Sequence, residues 1–145
     1  MNRILRLGAI ITLLAPPMQA MAQQTSAVLY KNPQCGCCEG YADYLRDNGF
    51  EVDVKPTNDL AEISRRAGVP EDFQGCHVTF VDGYVVEGHV PVNLVRKLLS
   101  ERPDIAGITL PGMPMGSPGM GGAKEEPFKV YAVGQDGAPT VYATE

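Results

Sequence analysis

Three of the chain's four cysteines stand within four residues, Cys35-Gly36-Cys37-Cys38, and that spacing limits how the chain can hold itself together. A disulfide stabilises by closing a loop, and loops of two to four residues close too little to staple a fold. The one long-range disulfide open to the chain would join Cys76 to a member of the cluster. Otherwise the fold has to rest on a hydrophobic core, and the cluster serves chemistry.

That core is modest. The first 22 residues read as an export leader. Arg3 and Arg6 give a basic start, and Leu7 to Ala15 is an apolar run of nine, too short to span a bilayer. Pro16-Pro17 breaks any helix there, and Ala20-Met21-Ala22 places small residues before a mature start predicted at Gln23. Of 145 residues, 123 then remain, enough for one small domain without a separate nucleotide-binding or substrate-binding unit. Without the leader, 10 basic residues face 17 acidic ones, a balance of −7. Nucleic acid and anionic membranes are poor partners for such a surface. Hydrophobic residues at 44% and charged residues at 20% argue against global disorder. Export predicts an oxidising compartment, where four cysteines must be disulfide-bonded or protected by something they bind.

Ala27 to Lys31 reads as a short strand running into the cluster, and a helix should start near Cys37 with Tyr41, Tyr44 and Leu45 on one face. Asn48-Gly49 stops that helix. Phe50 to Lys55 alternates as a half-buried strand. Thr57 or Asn58 can cap a second helix carrying Leu60, Ile63 and Ala67. Val78 to Val81 and Tyr84 to Val86 flank Asp82-Gly83, a tight-hairpin signal. A third helix follows, with Val92, Val95, Leu98 and Leu99 inward, and stops before Pro103. From Pro111 to Pro127, nine of 17 residues are Pro or Gly, which forces an irregular loop, and Met113, Met115 and Met120 sit in it. Phe128 to Val133 and Thr140 to Tyr142 flank Asp136-Gly137 as a terminal hairpin.

A strand feeding thiols into a helix N-terminus places them where unpaired backbone N–H groups and the helix dipole favour thiolate. Cys35 and Cys38 alone give the Cys-x-x-Cys of thiol-disulfide exchange, which keeps an oxidoreductase reading open. Cys37 fits that pattern badly, because a third thiol offers competing disulfides. Three thiolates from one turn suit a soft cation instead. Zinc is a candidate, with Cys35, Cys37 or Cys38, Cys76 and a histidine as its ligands. The methionines shift the balance to copper(I), since thioether sulfur is a poor ligand for zinc. Surplus thiolates allow bridging and more than one copper ion. His77 neighbours Cys76 at a strand start, where successive side chains point to opposite faces, so both reach one ion only if the backbone is irregular. His89 lies in a loop after the hairpin, as a ligand or a hydrogen-bond donor to one.

The blocks YKNPQCGCCEGY, GCHVTFVDGYVVEGHVP and LPGMPMGSPGM, in this order over about Val28 to Met120, resemble the periplasmic copper-resistance proteins called CopG. The resemblance implies a thioredoxin-like α/β fold, which the predicted elements fill as βαβαββα over residues 23–110; the Met/Gly/Pro-rich loop over 111–127 follows, and a C-terminal β-hairpin over 128–145, beyond the resemblance, is expected to pack on the same domain. It implies a periplasmic location, copper binding and a role in changing copper's oxidation state, with other envelope copper-handling proteins as partners. Cys35, Cys37, Cys38 and Cys76 match the family's thiolates, His77 and His89 its Cys-His and Gly-His-Val-Pro positions, and Met113 and Met120 its methionine segments. Met115 is an extra methionine, and Val78-Thr79 replaces an expected Thr-Ala. Ordinary thioredoxins keep a cis-proline where this sequence has Gly75-Cys76-His77, so the resemblance sets a fourth sulfur in the place of a substrate-docking residue.

Overall fold

Alternation along the first strand sets the two faces of the sheet. In the computed structural model, which describes residues 24–134 and 138–145, β1 spans Thr25–Lys31. Ala27 and Leu29 point to one face and Tyr30 to the other. The predicted leader and the Asp136-Gly137 turn lie outside the described residues. The chain continues through α1 (Gly36–Asp47), β2 (Phe50–Pro56), α2 (Leu60–Arg66), a 3-10 turn (Glu71–Phe73), β3 (His77–Val81) and β4 (Tyr84–Gly88). It ends with α3 (Val92–Glu101), β5 (Gly107–Leu110), β6 (Lys129–Val133) and β7 (Thr140–Thr144).

These strands form one mixed sheet in the order β2-β1-β3-β4-β5-β6-β7. β1 pairs in parallel with β2, and β4 with β5; every other neighbouring pair is antiparallel. On one face Ala27, Leu29, Val81, Val86 and Ile108 bury against Tyr41, Ala42 and Leu45 of α1 and Val95 and Leu98 of α3. On the other, Val78, Val85 and Val133 meet Leu60 and Ile63 of α2, Ala67 just beyond its end, and Phe73. Asp82 and Gly83 both take left-handed φ, 46° and 84°, as a two-residue hairpin turn between right-twisted strands requires.

Two expectations need correcting. The sequence reading has no strand between α3 and the Pro/Gly-rich loop, yet β5 is there. Its four residues, Gly107-Ile108-Thr109-Leu110, are all buried and too few for a period to stand out from the sequence. The N-cap position of α2 falls on Asp59, one residue beyond the predicted cap, and no side chain caps the helix. Thr57 Oγ1 instead accepts a hydrogen bond from the Asp59 N–H at 3.0 Å.

The 111–127 segment has no helix or strand, as its composition predicts, but successive turns order it. Ser117 N–H donates to Pro114 O, and Met120 N–H to Ser117 O. The terminal strands β6 and β7 pair as predicted, and β6 adds to β5. No helix among the described residues is long and apolar enough to cross a membrane.

Candidate metal centre

The cysteines meet because two chain reversals abut at one end of the sheet. Cys35 occupies the N-cap position of α1, Cys37 and Cys38 lie in its first turn, and Cys76 immediately precedes β3. The Asn32 N–H donates to Cys76 O at 3.2 Å and ties the two loops together. Cys76 Sγ lies 3.2 Å from Cys38 Sγ, 3.3 Å from Cys35 Sγ and 3.9 Å from Cys37 Sγ. Cys35 and Cys37 Sγ are 3.3 Å apart.

Cys35 and Cys38 are joined by a disulfide, while Cys37 and Cys76 are free. The long-range staple from Cys76 is therefore corrected: the bond forms inside the cluster, where it closes a loop too short to stabilise the fold much. The disulfide also removes two thiolates from the donor set, so a four-thiolate site belongs to the reduced protein.

Cys76 is shared with a second group. It forms a set with His77 and His89 whose ligand atoms all lie within 4.8 Å of one another. Backbone carbonyls fix both rings. His77 Nε2 is 3.0 Å from Gly88 O; a carbonyl only accepts, so Nε2 carries the proton and Nδ1 keeps its lone pair, 3.9 Å from Cys76 Sγ. His89 Nδ1 donates to Pro118 O at 2.7 Å, which leaves Nε2 as the bare nitrogen. That atom is buried with no hydrogen-bond partner among the described residues. Metal-bound histidines are oriented in this way, with the outer nitrogen tied to a carbonyl.

Electrostatics agree with the tautomers. Burial, then the neighbouring His89, pushes His77 down to about 3, and burial also lowers His89. Both rings are thus neutral donors at neutral pH. Burial, then Cys37, pushes the Cys76 thiol up to about 12, so a metal ion must displace a proton there. Tyr41 is core, as its helical spacing predicts, but its ring also packs on both imidazoles, 4.7 Å from His77 and 5.5 Å from His89 between centroids. Its hydroxyl donates to Val90 O.

The methionine loop docks over α1. Gly119 has φ +78°, and a Cβ there would sit 2.5 Å from Tyr41 N; one on Gly40 would meet Gly119 O at 3.0 Å. Only glycine permits this approach. With the His89–Pro118 hydrogen bond it fixes the loop at two points next to Met120, which is half-buried. Met113 and Met115 stay outside, 38% and 52% exposed. The structure therefore brings together Cys35, Cys37, Cys38, Cys76 and His89, lays the Met120 segment over the helix that carries the cluster, and leaves Met113 on the surface. It adds His77 to the set. Cys76 and His77 reach the same side because Cys76 lies before the regular strand, where backbone alternation has not begun.

Residues 73–120 match the family model described as Protein of unknown function, DUF411. No curated protein matches. Two solved structures of copper resistance protein CopG, Form 1 and Form 2, share 35% identity with this chain at a TM-score of 0.78. Each alignment covers 85% of this chain, with 98% of Form 1 and 99% of Form 2. The chain belongs to the CopG copper-resistance family. As a CopG protein it has a mixed α/β fold whose seven-stranded sheet carries a cysteine–histidine cluster able to hold metal.

Proposed function

We propose that this CopG protein is a periplasmic copper(I)-binding protein of copper resistance. In the reduced chain Cys35, Cys37, Cys38 and Cys76 hold copper, His89 and His77 add nitrogen donors, and Met120 supplies thioether sulfur from the loop, with Met113 outside the site. One observation carries this reading: three sulfurs from the start of α1 lie within 3.9 Å of the Cys76 sulfur, beside a buried imidazole nitrogen with no partner among the described residues. Thiolate sulfur suits copper(I) and zinc alike, and the thioether of the adjoining methionine segment tips the choice to copper(I); the close approach of the sulfurs allows them to bridge more than one ion. Copper is the cargo, and other envelope copper-handling proteins are its donors or acceptors.

The order β1-α1-β2-α2-β3-β4-α3, with strands arranged β2-β1-β3-β4, supports a thioredoxin-like core over 23–110. The 111–127 loop is then its lid and 128–145 its added hairpin. The leader over 1–22, cleaved near Ala22/Gln23, delivers it to the periplasm. A redox role fits the same site. Oxidation of the Cys35 and Cys38 thiols to their disulfide releases two protons and two electrons, which reduce two copper(II) ions to copper(I).

An anaerobic copper(I) titration of the reduced protein against a chromogenic chelator tests the binding. Cys37→Ser should lower both stoichiometry and affinity; unchanged values would defeat the cluster reading. The Cys35–Cys38 disulfide at a helix N-terminus favours a second reading, a thiol-disulfide oxidoreductase. Robust insulin reduction by metal-free protein, indifferent to Cys37→Ser, would establish that one instead.

A further inference from the structure

Cys76 reaches the cluster from a segment that lies outside the regular sheet. Glu71–Phe73 form a 3-10 turn, and β3 begins only at His77. Two side chains of neighbouring strands take hold of the residues between. Glu87, near the end of β4, is fully buried, and its carboxylate accepts from the Gly75 N–H at 2.6 Å and from the Ser64 hydroxyl of α2 at 2.9 Å. Thr109 stands directly across from Glu87 in the β4–β5 register, and its buried hydroxyl donates to Phe73 O at 2.7 Å. Gly88, the next residue of β4, holds the His77 ring through its carbonyl. The residues on either side of Cys76 are thus tied to consecutive positions of β4, while the Asn32 N–H holds the Cys76 carbonyl from the loop before α1.

A carboxyl group taken fully out of water is costly unless hydrogen bonds meet it, and an apolar side chain of similar size often serves stability as well. What Glu87 adds is direction, because each oxygen binds one donor, and the two donors belong to α2 and to the residue before Cys76. Glu87 itself stands outside the sets of side chains close enough to share an ion. We propose that Glu87 and Thr109 are positioning residues of the metal centre: through Gly75 and Phe73 they set the Cys76 sulfur against the sulfurs at the start of α1. Placement, not charge, is what they supply. An amide at position 87 therefore serves equally, its oxygen accepting from the Gly75 N–H and its nitrogen donating to Ser64 Oγ. By this account α2 and β5, which carry none of the proposed ligands, support the site. The inference deepens the copper-site reading and rests on it for its purpose, but the placement of Cys76 is also read in metal-free protein.

The experiment compares Glu87→Leu with Glu87→Gln and Thr109→Val with Thr109→Ser. In anaerobic chelator competition by the reduced proteins, copper(I) affinity should fall about tenfold in Glu87→Leu and about threefold in Thr109→Val, with Glu87→Gln and Thr109→Ser within about twofold of wild type. In metal-free, disulfide-bonded protein, nuclear Overhauser contacts between the β-protons of Cys76 and Cys38, whose sulfurs lie 3.2 Å apart, should weaken in the Leu and Val variants and persist in the other two. A purely structural role would lower melting temperatures and leave those contacts intact in the folded fraction. Folded Glu87→Leu with wild-type copper(I) affinity overturns the proposal. So does Glu87→Gln as weak as Glu87→Leu, since charge and not placement would then be what the residue supplies. If Glu87→Leu does not fold, Thr109→Val decides by the same two readings, and wild-type affinity with undiminished Cys76–Cys38 contacts overturns the proposal. A wild-type protein that binds no copper(I) would sink the copper reading, whereas the Cys76–Cys38 contacts would still decide this one.

Discussion

Cys76, His77 and His89 are held by the sheet and its edges, whereas Met113, Met115 and Met120 ride on a segment with no regular secondary structure. On the sheet side each donor is aimed by a backbone partner: Asn32 N–H on Cys76 O, Gly88 O on His77, Pro118 O on His89. On the loop side, order comes from two docking points, Gly119 against Gly40 and Tyr41, and Pro118 on His89. The sheet side therefore fixes geometry in advance, while the loop side governs access. His89 belongs to both, since one nitrogen holds the loop and the ring stands in the same donor set as Cys76 with its other nitrogen bare.

The largest effect should come from the residue that joins the two ligand groups. Cys76→Ser should lower copper(I) affinity by roughly 100-fold or more in chelator competition, the upper range for disturbing a metal site's supporting shell. A loss smaller than that of Met120→Ala would invert the comparison.

Next comes the docking contact. Gly119→Val places a β-branched side chain at φ +78° against the Tyr41 backbone, a local strain of about 1–3 kcal/mol that undocking relieves. Copper(I) should then leave about tenfold faster in stopped-flow transfer to a chelator, with the melting temperature of the sheet little changed. An unchanged release rate would show that the loop does not gate the site.

The sheet side also contains a buried acid. Glu87 Oε1 accepts from Gly75 N–H at 2.6 Å and Oε2 from Ser64 Oγ–H at 2.9 Å, which ties α2 to the loop before Cys76. Burial pushes its carboxyl up to about 7 from 4.5. A raised acid binds its proton more tightly when folded, so its contribution is full below about pH 4.5 and is lost as pH rises to about 7. The depressed His77 acts in the opposite sense, losing stability as pH falls from 6.5 toward 3. The difference between wild type and Glu87→Gln cancels that term. In urea melts the variant should gain on wild type by about 3 kcal/mol between pH 4.5 and 7. A pH-independent difference would mean that Glu87 is not desolvated.

The smallest effects separate the methionines. Met120→Ala should weaken copper(I) binding several-fold and Met113→Ala less, following their burial. Equal losses would place Met113 at the ion despite its exposure.

Much of this was legible in the sequence where the signal is local. The strand-to-helix setting of Cys35, the Asp82-Gly83 hairpin and the loop around Met113 follow from spacing and backbone restrictions within a few residues. What escaped depends on distant partners. β5 is too short and too evenly buried to show a period. His77 joins the site only because Gly88 O selects its tautomer and Cys76 lies outside the strand. Alternation along Ala27-Val28-Leu29-Tyr30-Lys31 does put Lys31 inward, but the carbonyls of Asn32, Pro33 and Cys35 that make its burial tolerable come from a loop whose shape the sequence does not display.

X-ray absorption at the copper edge of anaerobically loaded, reduced protein tests the central claim most directly. The predicted result is copper(I) in a sulfur-dominated shell that loses sulfur in Cys37→Ser and in Cys76→Ser. Copper bound by nitrogen and oxygen alone, with a spectrum indifferent to both substitutions, would contradict it.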